Sequence, residues 1–315
     1  MARLTPLSLE QARGVLAPLG VVPTVVEALE AGSVNSNFAC QDAAGQRYFL
    51  RVYEEQGQAG ARAELELLSE LEAAGVPVAP SVRRQGRLWL GAHAGKPVAL
   101  FPWVPGDILC QLRVDPAKAR QVGQALARVH LAKVSALPEG RFAAADLLAR
   151  LERVAAESTA LAPDARMARD ALQELSRLRR ADLPQGLVHG DLFRDNVLWQ
   201  QDRIGALLDF ESASRGALLY DLCVCVHAWC YGDHFVPALV RALGEGYQAE
   251  RPLTAAERAA FGVEARAAAL RFVATRMTDY SLRAPAGKPP LRDYRRFVAR
   301  AAVAESGELA GMLGL

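Results

Sequence analysis

"HGDLFRDNVLW", His189 to Trp199, sets two carboxylates, a carboxamide, a histidine and an arginine in one short segment among apolar residues. His189, Asp191 and Asn196 form an H-x-D-x-x-x-x-N pattern, and Asp209 follows thirteen residues later at the end of "IGALLD". The short apolar runs in "GLVHGDL", "NVLWQ" and "IGALLDFE" read as strands. A hairpin ending at Asp209 then returns that carboxylate beside the loop carrying Asp191. This set suits phosphoryl transfer from ATP to an alcohol. One carboxylate orients the hydroxyl and accepts its proton, and oxygen ligands hold the Mg2+ that neutralises the β- and γ-phosphates. Asp191 suits the first task; Asn196 and Asp209 suit the second. An Asp-rich turn that satisfies its own backbone would account for Asp191 and Asn196 alone, but not for matching parts elsewhere.

Those parts lie upstream. "EAGSVNSNF", Glu30 to Phe38, is a small-residue turn between two strands. Its backbone N–H groups, with Ser33, Asn35, Ser36 and Asn37, suit a cover over phosphates, although a plain hairpin loop has the same composition. In "YFLRVYEE", alternation with Leu50 and Val52 turns Arg51 to the opposite face, and the helix "AELELLSELEAAGVPV" offers Glu64 as its partner. A strand cation held by a helical Glu and touching the α/β-phosphates is a kinase arrangement; taken singly, both residues also read as surface charges. "ALFPWVPG" supplies a connector whose backbone, around Pro102 and Val104, can face adenine.

The pattern changes at that connector. Before it come strand-like runs, "VVEALEAG", "SNFACQD", "QRYFLRVYEE", "RLWLGA" and "KPVALFPWV", with "DAAGQ" as a hairpin turn. One helix interrupts them, carrying Leu65, Leu68 and Leu71 near the helical period and ending at Gly75 and Pro77. After it, residues 115–182 are almost wholly helical in pattern, opening on an Asp-Pro start signal, and helices again run from Ala217 onward. The expected fold is therefore α+β and bilobal: a small β-rich first lobe over 1–101, a connector at 102–106 and a larger, mainly helical lobe over 107–315.

Composition excludes several classes. Hydrophobic residues make up 51% and charged residues 23% of 315, so the chain can bury a substantial core. A net charge of +2, with arginines scattered on Ala- and Leu-rich helices, gives no case for a nucleic-acid partner. The most apolar stretch, "GALLYDLCVCVHAWCYG", contains Asp221 and His227 and is too short to span a bilayer, so no membrane partner and a cytoplasmic location are expected. Of the five cysteines, three share that stretch. Buried reduced thiols are the default reading, with a metal site at Cys223 and His227 the alternative.

The ordered set of turn, strand cation, helical Glu, connector, "HGDLFRDN" and "LLDFE" resembles the aminoglycoside phosphotransferase and choline kinase superfamily, along nearly the whole chain. The resemblance implies a protein-kinase-like fold, use of ATP and Mg2+, and the residue roles given above. Arg51 departs from the Lys that many relatives carry there. "RGALLYDLCV" matches the family's Tyr-Asp-Leu at the start of a helix, where Asp221 would brace the loop, with His189 as further support. Within the superfamily, "GSVNSNF", "YQAERPLTAAERAAF" and "ALRFVATRMTD" resemble its bacterial homoserine kinases.

Homoserine carries an ammonium and a carboxylate, so its site needs acids and a cation, ideally a bidentate Arg. The candidates for contact with the acceptor are Asp191, Arg194, Asp195, Glu211, Asp221, Trp229, Arg271 and Arg276; surface salt bridges are the plainer role for the helical arginines. A small-molecule amino-acid alcohol is the expected partner. Other superfamily acceptors (an aminoglycoside, an amino sugar, hydroxylysine) and a non-catalytic nucleotide binder are the alternatives. The helix faces do not fix an oligomeric state.

Overall fold

The computed structural model describes residues 5–29, 34–140, 143–284 and 290–315. Helix α1 (Leu9–Leu16), opened by a Ser8/Gln11 capping box, leads into a five-stranded antiparallel sheet. The sheet runs in the order β1 (Pro23–Leu29), β2 (Ser36–Asp42), β3 (Arg47–Val52), β7 (Lys96–Pro102), β6 (Gly91–His93). The "DAAGQ" turn is built by Asp42, whose Oδ1 accepts from the N–H groups of Ala44 and Gln46 at 2.9 Å each. Helix α2 (Gln58–Ala73) crosses between β3 and β7 and buries Leu65, Leu68 and Leu71.

Strand alternation sorts this sheet into two faces. Phe38, Cys40, Leu50, Val52, Val98 and Leu100 pack with Leu7, Ala12 and Leu16 beneath α1. The other face carries Ala99, Phe101 and the half-buried Phe49 into the main core with α2, and Arg51 lies on it. Each fully buried leucine here contributes about 2 kcal/mol relative to exposure, so register is set by burial, and a one-residue slip would bury Arg51 under α1. "RLWLGA" departs from the single expected strand: it divides into β5 (Arg87–Leu88), paired with β4 (Arg83–Arg84), and β6. Trp89 turns into the α1 core between them.

Beyond β7 the chain crosses at Trp103 to Gly106 and is pinned by reciprocal Asp107–Trp199 backbone bonds of 2.9 Å. Helix α3 (Pro116–Leu131) is capped by Asp115, which accepts from Lys118 N at 2.8 Å. Helices α4 (Ala144–Glu157) and α5 (Ala162–Leu178) follow, then β8 (Gln185–Val188). A hairpin of β9 (Val197–Gln200) and β10 (Arg203–Leu207) comes next, and β11 (Ser214–Ala217) returns to pair with β8. The remainder is helical: α6 (Leu218–Trp229), α7 (Pro237–Glu250), α8 (Ala255–Arg276), α9 (Arg295–Glu305) and α10 (Glu308–Leu313), with a π-helical stretch at Met277–Ser281 after α8. A small antiparallel sheet lobe beside a larger helical one is the bilobal kinase-like arrangement expected.

Among the described residues no helix is long and apolar enough to cross a membrane. All five cysteines are free thiols; Cys40, Cys223, Cys225 and Cys230 are buried and Cys110 is exposed. A metal at Cys223 and His227 is not supported, because among the described residues no three His, Cys, Asp or Glu side chains are gathered to hold one; His227 Nε2–H donates to Ala265 O at 2.8 Å. Burial pushes the His227 imidazole down to about 3, leaving it neutral in the core.

Candidate active site

The segment His189–Asn196 leaves β8 and is held from below by α6. Asp221, fully buried on that helix, accepts from His189 N at 2.6 Å and from Gly190 N at 2.8 Å, while His130 of α3 donates Nε2–H to it at 3.1 Å. Gly190 has φ +75°, and a Cβ there would sit 3.0 Å from Ser212 O. The sharp turn therefore requires glycine, and it lifts Asp191 above the buried brace.

Three further bonds draw the polar groups together. His189 Nε2–H donates to Leu208 O at 2.9 Å, Leu208 N donates to Asn196 O at 2.9 Å, and Asn196 Nδ2 donates to Asp191 O at 2.8 Å. The β9–β10 hairpin thus returns Asp209 to the loop of Asp191, as its spacing implied. Asp209 itself is exposed and left-handed, with φ 61° and ψ 65°, a conformation Asp tolerates better than most residues. Its carboxylate has no hydrogen bond or ion pair among the described residues.

Across from this loop stands the cation of the sheet. Arg51 Nη1 lies 3.0 Å from Glu64 Oε1 and 3.3 Å from Glu211 Oε1, and its buried Nε has no acceptor among the described residues. Burial alone would lower Arg51; Glu64 and Glu211 outweigh it and hold the guanidinium firmly charged. Burial raises Glu64 and takes Glu211 up to about 7; Asp209 adds to both shifts, against the pull of Arg51. Three carboxyl groups crowd one guanidinium, and their mutual repulsion favours a further cation among them. Hard oxygen donors in that setting, at Asp209 and at the Asn196 carboxamide whose NH2 is already engaged, fit a divalent cation of the Mg2+ kind.

Several expected positions take other roles. Ser33 lies outside the described residues. Ser36 is 1% exposed and bonds Thr5 N and Glu54, so it is turned from any ligand. Asn35 is buried, accepting from Glu54 N at 3.0 Å and donating to Glu211, so it joins the two lobes. Asn37 pairs across from Arg51 in the sheet. Pro102 and Val104 are half-buried at the connector. Glu211, expected beside the acceptor, faces Arg51 and the sheet, because the helical turn after Asp209 carries it there. Asp221 cannot touch an acceptor, since its oxygens are sealed under the loop. Trp229 is fully buried with Nε1–H on Leu192 O at 2.9 Å, which removes it from the acceptor side.

On that side Arg271, 4% exposed on α8, lies 3.1 Å from Asp191 Oδ1. Asp195 is exposed and paired with Arg292 at 3.0 Å. Arg194 donates to Gln111 Oε1 and Ala228 O, and Arg276 to Asp293 O at 3.0 Å. The reading from sequence missed Arg300, which is buried beside Arg276 and stacks over Tyr231 and Phe297 at 4.2 and 4.1 Å. No periodic signal in "RRFVARAAVAE" separates it from its surface neighbours.

Known proteins place this geometry. A profile of the phosphotransferase enzyme family matches residues 25–253. The homoserine kinase of Rhodopseudomonas palustris is 36% identical over 81% of this chain and 79% of its own. That of Gluconobacter oxydans is 31% identical over 94% and 97%. Among solved structures, a spectinomycin phosphotransferase in complex with ADP and its antibiotic aligns with TM-score 0.70 at 13% identity, covering 97% of this chain and all of the other. An amicoumacin kinase in complex with AMP-PNP and Ca2+ aligns at 0.68 and 17%, covering 91% and 89%. The bonded loop, the strand cation and these matches agree, and the chain belongs to the phosphotransferase enzyme family as a small-molecule kinase.

Proposed function

We propose that the protein uses ATP and Mg2+ to phosphorylate the side-chain hydroxyl of L-homoserine, giving O-phospho-L-homoserine for threonine synthesis in the cytoplasm. The observation that carries the kinase chemistry is the bonded chain from His189 through Leu208 and Asn196 to Asp191, which gathers the base and the oxygen ligands on one loop system. The acceptor is supported by the relatives named homoserine kinase, which align along most of their length.

In this reading Asp191 accepts the proton of the acceptor hydroxyl as its oxygen attacks the γ-phosphorus, and the electrons of the broken bond leave with ADP. Arg271 holds Oδ1 of Asp191 and so sets the direction of its free oxygen. Arg51, anchored by Glu64, holds nucleotide phosphate. Asn196 and Asp209 would hold the Mg2+, which neutralises phosphate charge when bound. Asp221 and His189 act below, by fixing the loop. Most of the rate then comes from positioning and electrostatics, with no phosphoenzyme.

The test is ATP-dependent turnover by the purified protein on L-homoserine, hydroxylysine, amino alcohols and aminoglycosides. O-Phospho-L-homoserine as the leading product is expected, and turnover of another acceptor with none on homoserine overturns the substrate. Asp191→Ala should cost at least about 100-fold in kcat with the circular dichroism spectrum unchanged; parent-like activity would remove Asp191 from the role of base.

A further inference from the structure

Beside the Asp191 loop lies a pocket of about 490 Å3. Its walls come from the segment after the connector (Ile108 to Gln111), the loop residues Phe193 to Asp195, the end of α6, Arg276 at the end of α8, and α9. None of these belongs to the five-stranded sheet. The volume lies in the range of small-molecule sites, and the loop that carries Asp191 forms one of its sides.

Its charge is one-sided. Arg194, Arg276, Arg292, Arg296 and Arg300 all line it, against the carboxylates of Asp195 and Asp293. Those two carboxylates are already engaged, Asp195 by Arg292 at 3.0 Å and Asp293 by Arg295 at 3.6 Å. Arg194, Arg276, Arg296 and Arg300 have no carboxylate within ion-pair distance among the described residues. They donate instead to neutral oxygens: Gln111 and Ala228, Asp293 O, Gly232 O and His227 O respectively. Arg300 is 6% exposed, and its Nε–H has no acceptor at all among the described residues. Burying cations together without counter-charge is costly, and such charges are normally paired. Burial, with repulsion from the neighbouring arginines, pushes Arg276 down to about 10 and Arg300 down to about 9, both still cationic at neutral pH. Asp191 is near enough for its charge to act on Arg276.

We infer that this pocket, centred on Arg276 and Arg300, is the subsite for the carboxylate of the acceptor, and that the protein selects hydroxy acids over the corresponding alcohols lacking that group. The inference rests on the proposed kinase reading and deepens it. Arg271, a cation expected to serve the acceptor, is committed to Asp191 and sets the base; the arginines of α9 and the end of α8 take the carboxylate. A planar guanidinium with open donors matches a carboxylate in two parallel hydrogen bonds, which an amino alcohol cannot return.

The experiment compares kcat/KM for L-homoserine with that for 3-aminopropan-1-ol, the same chain without the carboxylate. The parent should prefer homoserine strongly. In Arg300→Met, which keeps side-chain bulk, and in Arg276→Gln, the ratio of the two values should fall about 10- to 100-fold, chiefly through KM for homoserine. A variant that lowers both values alike, leaving the ratio intact, marks a structural role and overturns the assignment. Thermal stabilisation of the parent by L-homoserine but not by 3-aminopropan-1-ol, lost in both variants, is the binding readout independent of turnover; its absence in the parent also overturns it. Inorganic phosphate inhibiting as well as short carboxylic acids at fixed ionic strength would identify a general anion site instead. If the parent phosphorylates a different hydroxy acid and not homoserine, the substrate proposal fails and the subsite stands. Turnover confined to acceptors lacking a carboxylate removes the subsite.

Discussion

Asp221 shows how one buried side chain decides what happens several ångströms above it. Both of its oxygens receive backbone N–H groups of the His189–Gly190 turn, and His130 from α3 and His189 from the loop are the charged or titratable groups that act on it most. Burial alone would raise its pKa; the His130 bond and the fields of His130 and His189 outweigh it and hold the carboxyl below its ordinary 3.8. A depressed carboxylate contributes stability that is complete above the unfolded value and is lost as pH falls through the folded one. Asp221→Asn should therefore destabilise the protein by about 3 kcal/mol at pH 7. In urea unfolding series the gap from the parent should close as pH drops below 3.8. A gap that stays constant through the acid range would show that the charge contributes nothing.

At the level of elements, the tightest junction is between α3 and α7, and it is made by absence of side chains. A Cβ on Gly123 would fall 2.1 Å from Leu243 O, and one on Gly246 would fall 2.1 Å from Arg120 O. Backbone meets backbone there, and neither carbonyl has a flexible end to move aside. Gly123→Ala should cost about 1–3 kcal/mol by overpacking, whereas Gly14→Ala in α1, with open space around it, should gain about 0.5–1 kcal/mol from helix propensity. Opposite shifts of the two urea midpoints are expected; a neutral Gly123→Ala would mean that the helices separate freely. The same elements show what was legible beforehand. Asp115 capping α3, the Leu65, Leu68 and Leu71 stripe and the strand alternation around Arg51 are local rules, and the structure obeys them. Trp229, Ser36 and Glu211 were misplaced because their directions depend on packing against residues far away in sequence, which periodicity does not encode. The acidic and basic residues buried on α8 are equally silent, since Glu264 finds Arg179 and Arg271 finds Asp191 only once the helices have packed.

The molecule as a whole is joined across its lobes by polar ties at several points: Asn35 and Arg51 from the sheet side meet Glu211, Pro77 O beyond α2 accepts from Leu207 N, Glu70 of α2 accepts from Ser135 N at 2.8 Å, and the connector bonds to β9 through Asp107. The motif order along the chain was enough to anticipate two lobes, because each lobe is built from its own repeating pattern of burial. The pocket proposed for the acceptor carboxylate was legible only as a surplus of charges, and the helix α9 that lines it lies beyond the stretch matched by the family profile. A global consequence concerns the cysteines. Four are buried and Cys110 is exposed, and burial raises the buried thiols, Cys40 to about 11. Titration of the native protein with a thiol reagent should therefore release a single fast equivalent, with the rest appearing only on denaturation; two or more fast equivalents would contradict the packing around α6.

That exposed thiol is among the residues lining the arginine-rich pocket. A bulky electrophile attached there would stand in the doorway like a cork, and an occupant already inside would slow its arrival. The chain thus carries its own reporter: the speed of alkylation at one atom reads out whether the neighbouring chamber is filled, without any phosphate having to move.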